Sequence, residues 1–380
     1  MEDVCPSVTV RRFPVEAGLL LFDRSTHCLY AFNESACFLW DLIEDGQSLD
    51  ALVDSFATHW CIPRPLASAD VHATLRQWRA QGLVRMRNQA SRFERREPPG
   101  EGSNAREPLP APATTSICTI HGKVVGISVR TSAPLPIDAL FAHLETPGKT
   151  PDTQLAIEQL ANGELLLTAD GLERVRTGDA AVIIGALYQA ILELIRPGIQ
   201  WLALIHGAAV SRNGAGIALP GPSGSGKSTL TAGLLAAGFG YLADDLVALS
   251  APDGAIVPWP MPLSIKPGSI DLIAERHSSL ASAPTYRTKG MDARLLVPPA
   301  ASWRQPPVAL TSLVFPRYRA GAATEVKPLT TFEAMERLIA DRIWLGYPIA
   351  EERVGALLNL VNSATRYALS YDRLDDAIRT

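Results

Sequence analysis

The stretch LPGPSGSGKSTL, residues 219–230, sets Gly221, Gly224, Gly226, Lys227 and Ser228 in a complete G-x-x-x-x-G-K-[ST] pattern. Ser223, Ser225 and Thr229 lie within or beside it and complete the candidate nucleotide-binding set. Glycines let the backbone curl until successive N–H groups face phosphate oxygens, and the helix that follows adds the partial positive charge of its N-terminus. Lys227 is placed to bridge the β and γ phosphates, and the Ser228 hydroxyl to ligate Mg²⁺. ATP and Mg²⁺ are therefore the expected ligands. One helix and one strand later, YLADD ends in Asp244 and Asp245. Two carboxylates beside a γ-phosphate can divide the work: one holds the metal, the other takes a proton from an attacking hydroxyl. His206, at the end of WLALIHG, and Lys266, in PLSIKPGSI, are two further candidates.

Several classes are set aside by what the chain lacks. There is no N-K-x-D to read guanine and no L-S-G-G-Q signature of a transport ATPase. A net charge of −4 over 380 residues gives no global attraction to nucleic acid or anionic membrane. The five cysteines form neither C-x-x-C nor a metal-ligand spacing and read as reduced thiols. The first residues, MEDVCPSVTVRR, do not read as a signal peptide, and the longest apolar run, 180–195, is shorter than a bilayer span and carries Gln189 and Glu193. The expectation is a cytoplasmic protein with no membrane partner.

The elements that must position these residues follow from pattern. Residues 88–113 are rich in Pro, Gly and charge and divide the chain into a module at 1–87, a flexible linker at 88–113 and a larger domain at 114–380. In the first module VTVRRF, GLLLFD and HCLYAF alternate as three short strands. Three helices follow, with Asn33, Ser48 and Ser68 as N-caps, then the strand LVRM. Leu39, Trp40, Leu42, Leu52, Phe56, Trp60, Leu75 and Trp78 form its expected core. In the larger domain, strands alternate with helices around the phosphate loop, which implies an α/β sheet.

The segment 206–245, HGAAVSRNGAGIALPGPSGSGKSTLTAGLLAAGFGYLADD, resembles the core of bacterial HPr kinase/phosphorylase and its relatives. The resemblance implies a phosphoenolpyruvate-carboxykinase-like nucleotide-binding fold, with Asp244 as general base and Asp245 supporting the metal. It also implies His206 beside the phosphates, Lys266 in a basic loop near the transferred group, and a homo-oligomer. Two departures stand out. Thr229 occupies the place of a family Glu, and Pro267-Gly268 is followed by Ser269-Ile270 rather than by the family's Arg-Asn, which argues against HPr as acceptor. LVFPRYRAGAATEVKPLT, with Arg317 and Arg319, resembles the HPr-kinase-related group that acts on other molecules.

Residues 8–87 resemble the PqqD-like domain, the recognition element for ribosomally made, post-translationally modified peptides. That resemblance implies a leader peptide added as a strand beside 27–32 and packed against helix 69–80, with Arg76 and Arg79 facing an acidic leader. A winged-helix module reading DNA is the weaker alternative, on Arg76, Arg79, Arg85, Arg87, Arg92, Arg95 and Arg96. The fold class is thus mixed α/β: a winged-helix-like β3α3 module followed by an HPr-kinase-like P-loop domain. The combined reading is an ATP-dependent kinase of a Ser or Thr hydroxyl on a precursor peptide, such as the C-terminal Ser of a lasso-peptide precursor, working with other peptide-maturation enzymes. Two alternatives are a kinase of a small metabolite or HPr-like protein, and a non-catalytic nucleotide-dependent protein that presents peptide.

Overall fold

In the computed structural model, VRRFPV, GLLLFD and CLYAF form an antiparallel sheet in the order Val10–Val15, Gly18–Asp23, Cys28–Phe32. The structure describes residues 4–26, 28–86, 114–132, 135–195, 197, 200–283, 285–288, 291–299, 301, 306–341, 343–345 and 349–380. The expected linker 88–113, with Arg92, Arg95 and Arg96, lies outside these residues, as do Arg87 and His27. The described residues divide into two units: Met1–Gly100 with Lys327–Tyr367, and Glu101–Val326 with Ala368–Thr380. Residues 327–367, expected in the larger domain, thus group with the N-terminal module.

In the first unit, strand alternation turns Leu19 and Leu21 toward a helical core and Leu20 and Phe22 the opposite way. The helices Glu34–Glu44, Leu49–His59 and Arg64–Ala80 supply that core, including Leu39, Trp40, Leu52, Leu75 and Trp78. Leu42 and Phe56 are only partly buried. Asn33 and Ser48 cap their helices, accepting from the N–H groups of Ala36 and Ala51. Ser68 does not cap. The third helix starts four residues earlier than Ser68, at Arg64, because Pro65 suits a first helical turn, whose N–H groups lack intrahelical partners in any case. Sealing the sheet's other face, the helix Thr331–Ala340 packs against Gly18–Asp23 and Cys28–Phe32, and Phe332 lies where a side chain at Gly18 would sit. Each large apolar side chain so buried contributes about 2 kcal/mol.

In the second unit, a five-stranded sheet runs in the order Leu172–Thr177, Leu165–Ala169, Thr153–Gln159, Lys123–Arg130, Thr114–Ile120, with the helix Ala180–Ile195 against it. A larger mixed sheet carries the site. Its path includes Leu246–Ser250, Trp201–Arg212, Ala215–Pro220, Leu310–Tyr318 and Thr365–Tyr371 as successive neighbours. The sheet is mixed, with Ala215–Pro220 parallel to Leu310–Tyr318 and antiparallel to Trp201–Arg212. Trp201–Arg212 runs antiparallel to both Ala215–Pro220 and Gly240–Ala243, so those two strands point the same way and end near each other. His206 does not end a strand but sits midway along Trp201–Arg212. No described helix is long and apolar enough to cross a membrane.

Candidate functional site

The loop between Pro220 and the helix Lys227–Ala236 takes its shape from glycine. Gly224 and Gly226 have φ of 92° and 95°, the left-handed region that favours glycine. A side chain at Gly226 would also collide with the Tyr371 hydroxyl, which donates to the Gly226 carbonyl at 3.2 Å. Lys227 is 6 % exposed, and its Nζ donates to the carbonyls of Gly221 and Pro222. The Ser225 hydroxyl is buried with no hydrogen-bond partner among the described residues. Curled backbone, a buried lysine and an unspent polar atom at a helix N-terminus fit an anionic polyphosphate.

A cavity of about 400 Å³ opens on this loop. Of the expected residues, His206, Ser223, Gly224, Gly226, Lys227, Ser228, Thr229, Asp245 and Lys266 line it. Gly221 and Ser225, both buried, do not line it. The Lys266 Nζ donates to Ser223 Oγ at 3.0 Å, so the later loop reaches across the first. Thr229 donates to Ser269 Oγ at 2.9 Å. Arg317 and Arg319, exposed on strand Leu310–Tyr318 and just beyond it, do not line the cavity; Tyr318, between them, does.

The two carboxylates have opposite environments. Asp244 is 1 % exposed, and its Oδ2 accepts from the Ser228 hydroxyl at 2.9 Å and from the Ser264 N–H at 3.4 Å. Burial, and next the charge of Asp245, push its carboxyl up to about 7, against the opposing pull of Ser228 and Lys227. Asp245 is exposed and lines the cavity. Its backbone is left-handed, with φ of 62°, and its carbonyl accepts from Gly207 N–H at 3.4 Å, beside His206. That turn sends consecutive side chains to different places: one into the wall behind Ser228, one into the open space. The resemblance implies Asp244 as base; in this structure Asp245 is the carboxylate open to the cavity, and Asp244 is held behind the Ser228 hydroxyl.

No cluster of three or more His, Cys, Asp or Glu side chains suited to a metal occurs among the described residues. Mg²⁺ held largely by nucleotide phosphates needs no such cage, and one hydroxyl with one carboxylate behind it fits that mode.

Sequence patterns pass over the far end of the cavity. Tyr318, Tyr371, Asp372 and Leu374 line it there, beyond the loop from His206 and Asp245. Only the position of Tyr318 at the end of an apolar strand could have marked it.

The first unit has its own groove, of about 490 Å³. Residues 29–32 of the edge strand Cys28–Phe32, with Phe56, Val71, Trp78 and Ile339, shape it. At its base Phe32 stacks on Trp78, with centroids 4.5 Å apart and planes 9° from parallel. The third helix contributes Thr74 and Gln77, and its C-cap Gln81 adjoins them. Arg76 and Arg79 do not line the groove: at about 100° per residue they fall on the helix's other, exposed side. The acidic complement comes instead from Glu336 on the helix Thr331–Ala340, which forms one wall.

Residues 18–84 match the family described as coenzyme PQQ synthesis protein D (PqqD). A PqqD-like domain therefore occupies the first unit. Comparison with curated proteins finds no match. Among solved structures, the chain is similar to "TbiB1 in Complex with the TbiA(beta) Leader Peptide", at 20 % identity over 23 % of this chain and 99 % of that one, with a TM-score of 0.21.

Proposed function

We propose that this chain is an ATP-dependent kinase of a ribosomally made precursor peptide, recruited by its leader. The observation that carries the kinase reading is the open carboxylate of Asp245 on the same cavity as the phosphate loop, Lys227 and Lys266. Asp245 accepts the proton of a peptide Ser or Thr hydroxyl. The oxygen forms a bond to the γ-phosphorus, the bond from that phosphorus to the bridging oxygen breaks, and ADP leaves with the electron pair. Lys227, Lys266 and the loop N–H groups stabilise the charge as it spreads. Asp244 holds the Ser228 hydroxyl in place, and together they are the residues that would hold Mg²⁺. When bound, the ion supplies charge neutralisation between the β and γ phosphates.

Peptide recognition is supported by the PqqD match and by the groove beside an edge strand. An extended leader adds to Cys28–Phe32 through main-chain hydrogen bonds and sets apolar side chains over Phe32 and Trp78. Thr74, Gln77 and Gln81 offer neutral polar partners, and Glu336 favours a basic rather than an acidic leader residue at that wall. The decisive test is intact-mass spectrometry after incubation with Mg-ATP and the short peptide encoded beside the gene. A gain of about 80 Da per transferred phosphoryl group, absent with Lys227→Ala and strongly reduced without the leader, is the expected result. No gain, with nucleotide still bound, would replace the kinase by a protein that only presents peptide.

A further inference from the structure

The phosphate loop strand Ala215–Pro220 has different chemistry on its two flanks. Toward Trp201–Arg212 and Gly240–Ala243 lie His206 and Asp245, the end where a phosphoryl group would be transferred. Toward Leu310–Tyr318 and Thr365–Tyr371 lie Tyr318, Tyr371, Asp372 and Leu374. A nucleotide whose γ-phosphate faces the first flank must send its base toward the second.

Tyr318 is built to receive it. The residue is 49 % exposed although it sits in a cavity wall, among the few large exposed apolar residues of those described. Its backbone N–H donates to the Ser225 carbonyl at 3.0 Å, which fixes its distance from the phosphate loop. Tyr371 is 2 % exposed, packs edge-on against the Tyr318 ring at 6.0 Å between centroids, and is bonded through its hydroxyl to Gly226. One tyrosine is therefore buried and tied to the loop, while the other is half exposed at the cavity.

We infer that Tyr318 is the stacking platform for the nucleotide base, held by Tyr371, and that this end of the cavity selects purine over pyrimidine donors. This rests on the nucleotide reading above and extends it to the choice of donor. Stacking on a ring grows with the area of the base, so ATP and GTP should bind more tightly than CTP and UTP. Strand alternation turns Arg317 away from the face that carries Tyr318, and Arg319, just beyond the strand, does not line the cavity either.

Calorimetric titration of the full chain with Mg-ATP, Mg-CTP and inorganic tripolyphosphate separates the base from the phosphates. For the Tyr318→Ala variant, ATP affinity should fall roughly ten- to hundredfold, as loss of one base–aromatic stack predicts, while tripolyphosphate affinity stays within about twofold. Tyr318→Phe should bind ATP like the parent protein. Equal losses for ATP and tripolyphosphate would make Tyr318 a support of the loop and overturn the inference, as would unchanged ATP affinity or equal binding of ATP and CTP by the parent. If the parent binds neither ATP nor tripolyphosphate, the phosphate-loop reading itself falls and takes this inference with it. Circular dichroism of each variant guards against misfolding, and the Tyr318 backbone bond to Ser225 survives both substitutions.

Discussion

The phosphate-loop cavity and the groove of the PqqD-like unit are encoded in different ways. The cavity is dominated by residues close together in sequence: a glycine loop, its lysine and serine, and a carboxylate pair one helix and one strand away. The groove joins an edge strand at 28–32, a helix at 64–80 and a wall at 331–340. Short-range chemistry writes a motif. A surface assembled from distant segments writes only hydrophobic pattern, and its outer wall carries no local sign of its role.

The sharpest way to break the reading of the cavity is to separate its two aspartates. Asp245→Asn should reduce phosphoryl transfer by about 10²–10⁴-fold, the range set by loss of a general base, with nucleotide affinity changed little. Asp244→Asn should weaken Mg²⁺-dependent nucleotide binding as well, because Ser228 loses the carboxylate that orients it. Rapid-quench rates and nucleotide titrations on both variants decide the matter. Loss of transfer confined to Asp244→Asn would return the base to the buried position.

Much of the cavity was legible for a physical reason. A loop that curls its N–H groups inward needs glycines at fixed offsets, and the proposed transfer needs a carboxylate within reach, so residue types and spacing together point to both. The residues that escaped, Tyr318 and Tyr371, do ordinary work on strands until the sheet order brings their ends beside the loop. His206 lies midway along its strand and not at the end, because the apolar run continues through Gly207 and Ala208 toward Arg212. In the first unit the three strands, three helices and most of the core followed from periodicity. Arg76 and Arg79 carry the charge of this helix, but the helical wheel sets Thr74 and Gln77, not them, toward the groove.

The groove gives the next effect in size. Ile339 lines it from a helix about 300 residues beyond the edge strand, a separation read directly from the numbering. Ile339→Asp should raise the KM for the full precursor roughly tenfold or more, as burying an unpaired charge under a peptide demands, while turnover of a leaderless peptide is unchanged. Equal effects on both peptides would show that the wall supports the unit's fold and not its ligand. An unchanged KM would place the leader elsewhere on the edge strand.

The smallest effect tests the electrostatics of the cavity wall without substrate. Asp244 titrates near 3.8 in an unfolded chain, whereas burial pushes it up to about 7 in the folded one. Between these values the folded state holds a proton that the unfolded state has released, so this group makes stability fall as pH rises through the window. Below it both states are protonated, and above about 7 both are ionised and the loss is complete. An amide at 244 has no such titration. In chelator-containing buffer, the melting temperature of Asp244→Asn relative to the parent should therefore climb from pH 4 to pH 7, by a few degrees for a free-energy change on the order of 4 kcal/mol at most. The difference between the two proteins cancels the carboxylates that do not interact with residue 244; Asp245, whose charge acts on it, is the exception. A flat difference would mean that water or a nearby cation already stabilises the ionised form, and that the wall behind Ser228 is wetter than its 1 % exposure implies.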